Sequence, residues 1–503
     1  MELKKTARID LLKERMLSQP RYVSMEQAMI ITRAYQRHEE EPVILKRAYA
    51  LHDALCELEI GIEPQELIVG NRTKGVRYGV VFPESGISWV DQELETLPTR
   101  PQDKFLVRPE DVQTFREVIK PYWKGKSLED VLKKRYGKEI SALSTVVKIN
   151  QKDHAQGHIC PNVREWLEKG PAGLKEEAQQ HLLDCKEEQR PFYESILLVM
   201  DGVCRFLMRY HDELQKEAKQ HPDWKQDMIE TAEICKALSK RPAETFHEAV
   251  QSMWILFVVL HMESNASSFS PGRLDEILYP YYRKDRELGR LDAQRALDII
   301  ECLWLKFNQI VYLRNKNSAK YFAGFPIGFN IAVGGQDVHG EDVCNELSFL
   351  FLLAQEHIGL PQPNLSVRLH RGTGDALLKK AVRVVAKGSG MPQFFNDEAI
   401  IAELEKLGIS HQDAMDYAIV GCVELTTQGN NLGWSDAAMF NLNKVLEQTL
   451  HHGRCLLNKQ QLGPALGGLE TYESYEEMDC AFDAMIAHFL QRKIPACDEM
   501  EKA

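Results

Sequence analysis

The sequence predicts an α/β fold, with a mainly helical region to about residue 324 followed by strand–helix alternation from about 325. Three observations carry this. Apolar residues recur at three- and four-residue steps through the first half. No Gly/Ser linker, low-complexity tract or internal repeat marks a domain cut. Beyond 325, short apolar runs alternate with segments long enough to be helices, the pattern of parallel strands joined by helical crossovers.

In the N-terminal region, residues 24–56 carry Ala28, Ile31, Ala34 and Tyr35 at helical spacing, and Ser24 with Gln27 reads as a capping-box start. Pro242 suits the first turn of a long buried helix marked by Phe246, Val250, Met253, Trp254, Phe257 and Leu260. Charged stretches around 71–110 interrupt the helices. In the second region the reading is strand Phe329–Val333, helix 341–356, strand Asn364–Arg368, helix 375–387, strand Met391–Phe395, helix 398–407 and a buried run Tyr417–Val420. In such folds chemistry sits at the carboxyl ends of the strands. Arg368, Asn396-Asp397 and Gly421-Cys422-Val423-Glu424 stand there.

Composition narrows the function classes. The chain has 503 residues, 44% hydrophobic and 27% charged, with a net charge of −12. An acidic balance speaks against nucleic acid or an anionic membrane as partner, since both need a basic footprint. The longest apolar run, Trp254 to Leu260, falls far short of the ~20 residues of a membrane span. The N-terminus lacks the apolar core of a secretory signal. Eleven scattered cysteines without a CxxC pair suit a reducing cytoplasm better than a disulfide framework or structural zinc, and no metal is expected.

Cys422, with Glu424 two residues on, is the first candidate. In an extended loop residues i and i+2 project alike, which would put thiol and carboxylate in one pocket. Spacing alone leaves Cys422 open as a packed thiol at a strand end or as a nucleophile with Glu424 as base. A hydrolase would want a histidine to activate the thiol, yet His154 and His158 lie far upstream in the chain. Gly433-Trp434-Ser435-Asp436 adds a second acid that serves equally as a helix N-cap or as a group at the mouth of the same pocket. Glu263-Ser264-Asn265-Ala266-Ser267-Ser268 closes the long apolar helix, and its hydroxyls either cap the helix end or face a ligand cavity.

Tyr417-Ala418-Ile419-Val420-Gly421-Cys422-Val423-Glu424 resembles the thiyl-radical cysteine loop of the glycyl radical enzymes, the pyruvate formate-lyase-like superfamily. The resemblance spans the chain. Gly70-Asn71-Arg72-Thr73, Phe82-Pro83-Glu84, Arg100-Pro101-Gln102-Asp103, Gly157-His158, Glu263-Ser264-Asn265, Pro271-Gly272-Arg273, Gln362 to Arg368 and Phe395-Asn396-Asp397-Glu398 resemble family landmarks in family order. Pyruvate formate-lyase itself uses two adjacent cysteines. Here the neighbour is Gly421, and the Cys-x-Glu arrangement is similar instead to the glycerol/diol dehydratases and their eliminating relatives.

The resemblance implies a helical N-terminal region plus the first part of a ten-stranded α/β barrel, with Cys422 on a loop entering its centre. It implies that Cys422, as a thiyl radical, abstracts a substrate hydrogen and that Glu424 takes the proton from the adjacent heteroatom. Asp436 falls where diol dehydratases carry a carboxylate touching substrate hydroxyls, and His158 where they carry a histidine near the leaving hydroxyl. Their His-Ser pair after the long helix is replaced by Ser267-Ser268, so a hydroxylated substrate other than glycerol is expected, with C–O cleavage. No Arg-Val-x-Gly-Tyr loop for the glycyl radical is found in the chain. The resemblance thus implies an N-terminal portion whose radical resides on a further C-terminal segment, and a chain that by itself does not turn over. A radical SAM activating enzyme, a homodimer, a small-molecule substrate and an anaerobic cytoplasm are the implied partners and setting. A thiol-dependent hydrolase or transferase built on Cys422, and a catalytically silent binding subunit, are the alternatives.

Overall fold

The computed structural model describes residues 3–144, 146–149, 157–323, 327–432 and 438–502. It divides into two compact units that interleave along the chain, which is why no linker marks them in the sequence. The first comprises Met1–Val81, Gln92–Ile119 and His158–Gly433, and the second Phe82–Asp91, Lys120–Gly157 and Trp434–Ala503. Nine strands are described, in chain order β1 (Val23–Ser24), β2 (Gly79–Val80), β3 (Val147–Ile149), β4 (Asn330–Gly334), β5 (Asn364–Leu369), β6 (Gln393–Asn396), β7 (Tyr417–Val420), β8 (Glu424–Thr427) and β9 (Ala438–Phe440). No described helix is long and apolar enough to cross a membrane.

The helical expectation holds with corrected boundaries. Residues 24–56 form two helices, Glu26–Arg37 and Val43–Glu57, because Pro42 restarts the second as its N-cap residue. The capping box at Ser24 does not form. Ser24 lies in β1, paired in parallel with Val80, and the helix begins without a side-chain cap. The long apolar helix runs Phe246–Glu263, and it starts past Pro242 at a capping box made by Thr245 and Glu248. Phe246, Val250, Met253, Trp254 and Phe257 are fully buried along it. Phe329, just before β4, meets Trp254, Phe257, His261 and Phe307 at ring-centroid distances of 4.8–6.2 Å. This aromatic cluster seats the sheet on the helix.

The alternation from 325 onward is observed. Strands β4, β5 and β6 form a parallel sheet in that order, joined by helices Glu346–Ile358 and Asp375–Val384. Asn330 stands opposite Asn364, and Ser366 opposite Gln393. β7 and β8 form an antiparallel hairpin. Tyr417 and Ile419 pack with Ala332, Ile401 and Leu404, whereas Ala418 and Val420 pack with Cys160 on the other side.

In the second unit β3 pairs antiparallel with β9. Its core gathers Leu143, Val146, Val147, Val445, Cys455, Leu462, Met485 and Phe489, the last two from helix Tyr475–Lys502.

Candidate active site

Strand β5 alternates Asn364, Ser366 and Arg368 with Leu365, Val367 and Leu369, and all but Leu369 are buried. A polar face on a buried strand needs partners, and these polar side chains bind mainly the hairpin and its neighbours. Arg368 donates from Nε and Nη2 to the two oxygens of Asp397 at 2.9 and 3.0 Å, and to the carbonyls of Tyr417 and Met415, both at 2.9 Å. Tyr417 closes the group by donating its hydroxyl to Asp397 at 2.7 Å. Burial opposes the charge on Arg368, but bonding to Asp397 outweighs it and holds the guanidinium above its ordinary value. Arg368 and Asp397, expected at strand ends where chemistry occurs, are thus sealed anchors for the start of β7.

The other end of β7 is held by amides. Asn330 Nδ2 and Asn364 Nδ2 both donate to the Gly421 carbonyl, at 3.1 and 2.8 Å, and Ser366 Oγ orients Asn330 by donating to its Oδ1 at 2.9 Å. Sequence reasoning missed Asn330 by treating 329–333 as simply apolar. An asparagine inside a buried strand was the available signal, because it costs free energy unless bonded.

The turn between β7 and β8 is Gly421-Cys422-Val423, closed by the Val420–Glu424 pair. Gly421 takes a φ of 58°, and a Cβ there would lie 2.6 Å from His158 Cδ2 and 2.7 Å from Glu424 Oε2. A second cysteine beside Cys422 therefore does not fit without displacing both side chains. Cys422 stands exposed at the tip. Glu424 Oε2 accepts from the backbone N–H groups of Cys422 at 2.9 Å and Val423 at 3.0 Å. Cysteine and glutamate are thus linked across a turn through a backbone amide, rather than by projecting alike from an extended loop. Glu424 Oε1 lies 3.9 Å from His158 Nε2, so His158, hundreds of residues upstream, joins the pair.

His158 is buried and left-handed, with φ 59°. Its N–H donates to the Ser267 carbonyl at 3.0 Å, and Ser270 N–H donates to the Ile159 carbonyl at 3.0 Å. Ser267 therefore reaches His158 through its backbone. Ser268, also left-handed with φ 65°, donates its N–H to the Ile327 carbonyl at 3.1 Å. A Cβ on Gly328 would lie 2.6 Å from Ser268 Oγ, so the glycine leaves room for the hydroxyl. Cys422, Glu424, His158, Ser267 and Ser268 all belong to the first unit. Asp436, with Gly433-Trp434-Ser435, lies outside the described residues, as does His154. Among the described residues no group of three or more His, Cys, Asp or Glu side chains could hold a metal ion.

The pyruvate formate lyase-like family profile matches residues 3–503. The chain belongs to this family of glycyl radical enzymes. It is 33% identical over 496 residues to a probable dehydratase, YbiW, of Escherichia coli K12, which covers 94% of this chain and 60% of that protein. The B12-independent glycerol dehydratase of Clostridium butyricum, in its glycerol-bound form, superposes with a TM-score of 0.95 at 32% identity, over 100% of this chain and 64% of that one. The hydroxyproline dehydratase of Clostridioides difficile superposes with a TM-score of 0.94 at 28% identity, over 100% of this chain and 65% of that one. The chain thus spans less than two thirds of the length of these family members. The two solved proteins are dehydratases by name, and the helix-rich α/β architecture is common to them and this chain.

Proposed function

We propose that the chain carries the thiol and proton-transfer residues of a glycyl radical dehydratase or lyase that cleaves a C–O or similar bond of a small hydroxylated molecule. The supporting observation is the turn itself, where Glu424 accepts from the backbone N–H of an exposed Cys422 at 2.9 Å and lies 3.9 Å from His158. A glycyl radical on a segment beyond those seen here would supply the oxidising equivalent that removes the Cys422 S–H hydrogen. Cys422 suits such a donor because it is exposed at the hairpin tip. The ten-stranded barrel of the family, with the β4–β6 sheet as part of its wall, belongs to the same reading.

In this mechanism the Cys422 thiyl takes a hydrogen atom from a carbinol carbon, forming S–H and leaving a carbon-centred radical. Glu424 accepts the hydroxyl proton, which raises the electron density that expels the β leaving group. His158 delivers a proton to that group, so hydroxide leaves as water. The product radical recovers hydrogen from Cys422. His158 Nε2 and Glu424 Oε1, 3.9 Å apart, are too far for a direct hydrogen bond, so the proton gained at Glu424 would return to His158 through a bridging water or substrate hydroxyl. Ser267, Ser268 and Asp436 would meet substrate hydroxyls. The serine that replaces a family histidine removes bulk and a possible cation, which favours a polyol other than glycerol. A radical SAM activating enzyme and a homodimeric assembly complete the proposal.

The test joins this chain to a polypeptide supplying the rest of the family's length, activated anaerobically. Cys422→Ser should abolish exchange of substrate hydrogen. Glu424→Gln should lose turnover but retain that exchange, because abstraction precedes proton transfer and an amide oxygen still accepts the two turn N–H bonds. Equal loss of exchange in both variants refutes the roles. Turnover of choline or hydroxyproline with none of any polyol refutes the substrate class.

A further inference from the structure

Six described residues other than glycine hold a left-handed φ. His158 and Ser268 lie at the candidate active site, and His452 and Lys459 are exposed positions of the second unit. The remaining two, Arg77 at 61° and Asp103 at 52°, meet elsewhere in the first unit. They line a cavity of about 170 Å³ together with Arg21, Asn308, Tyr312 and Met16. Such backbone costs of order 1–3 kcal/mol per residue and persists where surrounding structure over-determines it, often at binding sites.

The charges at this cavity do not balance. Arg77 makes one side-chain hydrogen bond, from Nη1 to the Met16 carbonyl at 3.5 Å, and has no carboxylate within ion-pair distance among the described residues. Arg21 Nη2 bonds Asp103 Oδ1 at 2.8 Å and its guanidinium lies 4.1 Å from the Phe105 ring centroid, while Arg21 Nε and Asp103 Oδ2 are each buried without a hydrogen-bond partner among the described residues. Arg100 stands behind, donating to the Asp103 carbonyl from Nε at 3.0 Å and Nη2 at 2.6 Å, and to the Arg314 carbonyl from Nη1 at 2.7 Å. Asp103 and Glu93 are the nearby carboxylates, Glu93 at 3.6 Å from Arg100. Burial, and then the charge of Arg21, push Arg77 below the usual arginine value, against a weaker opposing pull from Asp103. In a chain of net charge −12, this local excess of guanidinium is conspicuous. The volume is small beside the roughly 300–1,000 Å³ of organic-ligand pockets, but it is ample for an inorganic oxyanion with a few waters.

We propose that this cavity binds a small oxyanion of the phosphate or sulfate class, held chiefly by Arg77 and Arg21. Arg77 presents the planar fork that suits bidentate recognition of such anions. The site is independent of the catalytic reading above, since it shares no residue with the Cys422 turn.

The experiment follows thermal unfolding of the chain against inorganic phosphate, with chloride at matched ionic strength as reference. Phosphate should raise Tm saturably beyond chloride. In Arg77→Asn, apparent phosphate affinity should fall at least about tenfold, the size expected for losing one bidentate charged contact. Asparagine tolerates the left-handed backbone, so the variant should fold. A parallel arm with glycerol phosphate separates a free anion, whose ester binds worse, from a phosphate-bearing metabolite, whose ester binds better. No response beyond chloride, or an equal response in Arg77→Asn, overturns the proposal. An anomalous selenium peak beside Arg77 in crystals grown with selenate would support it, and a selenium-free cavity would overturn it.

Discussion

Asn364 donates its side-chain amide to the Gly421 carbonyl at 2.8 Å, and that carbonyl precedes Cys422 in the turn. Asn330, opposite Asn364 in the sheet, donates to the same oxygen at 3.1 Å. One buried acceptor with two buried donors fixes where the turn stands relative to the sheet. Asn364→Ala removes a donor and should cost about 1–3 kcal/mol of stability. Hydrogen exchange should then quicken at Cys422 and Val423, with β4 amides unchanged. Asn364→Asp should cost more at neutral pH, because a carboxylate repels the carbonyl. That excess should shrink on acidification, since a protonated acid can donate in place of the amide. Denaturant titrations of both variants at pH 5 and pH 7.5 measure this difference.

Gly421 is constrained twice, by its φ of 58° and by the 2.6 Å that a Cβ would leave to His158. Gly421→Ala should lose about 2–4 kcal/mol, from left-handed backbone strain and overpacking together. The steric part is shared by His158 and Glu424 Oε2, and removing the His158 ring relieves its share. Combined with His158→Gly, the alanine should therefore cost less than it does alone. A double-mutant cycle by urea unfolding reads the coupling, and additive losses would contradict the geometry.

The fold class was legible because burial periodicity carries it. β4, β5 and β7 were readable from their apolar or alternating runs, and Phe246–Glu263 from its helical stripe. Cap and break positions were less so. Ser24 and Gln27 spell a local capping box, yet Ser24 is drawn into a pairing with Val80 that local pattern does not encode. At the site, Cys422 and Glu424 were legible from adjacency. The packing of His158 over Gly421 depends on a long-range chain crossing, so the sequence pointed to His158 only through family resemblance. The polar alternation of Asn364, Ser366 and Arg368 is visible in the sequence, which yields a strand with Arg368 at its carboxyl end but not the partners of these side chains. Its destination, the carbonyls of β7 and its flanks, exists only once the hairpin docks.

Arg368 and Asp397 are both fully buried, so each is the other's compensation. Asp397→Asn should destabilise the chain by about 3–5 kcal/mol by leaving a guanidinium charge uncompensated. Arg368→Met with Asp397→Leu should cost less than the single change, although Tyr417 and Met415 carbonyls then lose their donor. Guanidinium chloride midpoints at one ionic strength give both numbers. A double variant weaker than Asp397→Asn would show that carbonyl anchoring outweighs the charge pair.

Asp275 supplies a pH dependence of its own. It is fully buried, accepting from Gly334 N–H at 2.9 Å and Ser348 Oγ at 2.5 Å. Burial pushes its pKa up from 3.8 to about 6, against the opposing pull of those bonds and of Arg273. A raised carboxyl pKa means the folded chain binds more protons than the unfolded chain between these values. Stability from this group is therefore full below the unfolded value and is lost as pH rises through about 6. The loss approaches roughly 1.4 kcal/mol for each pH unit crossed within that window and levels off above it. Asp275→Asn cannot ionise, so its stability relative to the unaltered chain should climb between pH 4 and pH 6.5 and then stay flat. Urea unfolding at half-unit pH steps measures the difference directly. A difference that does not vary across the window would place the proton elsewhere.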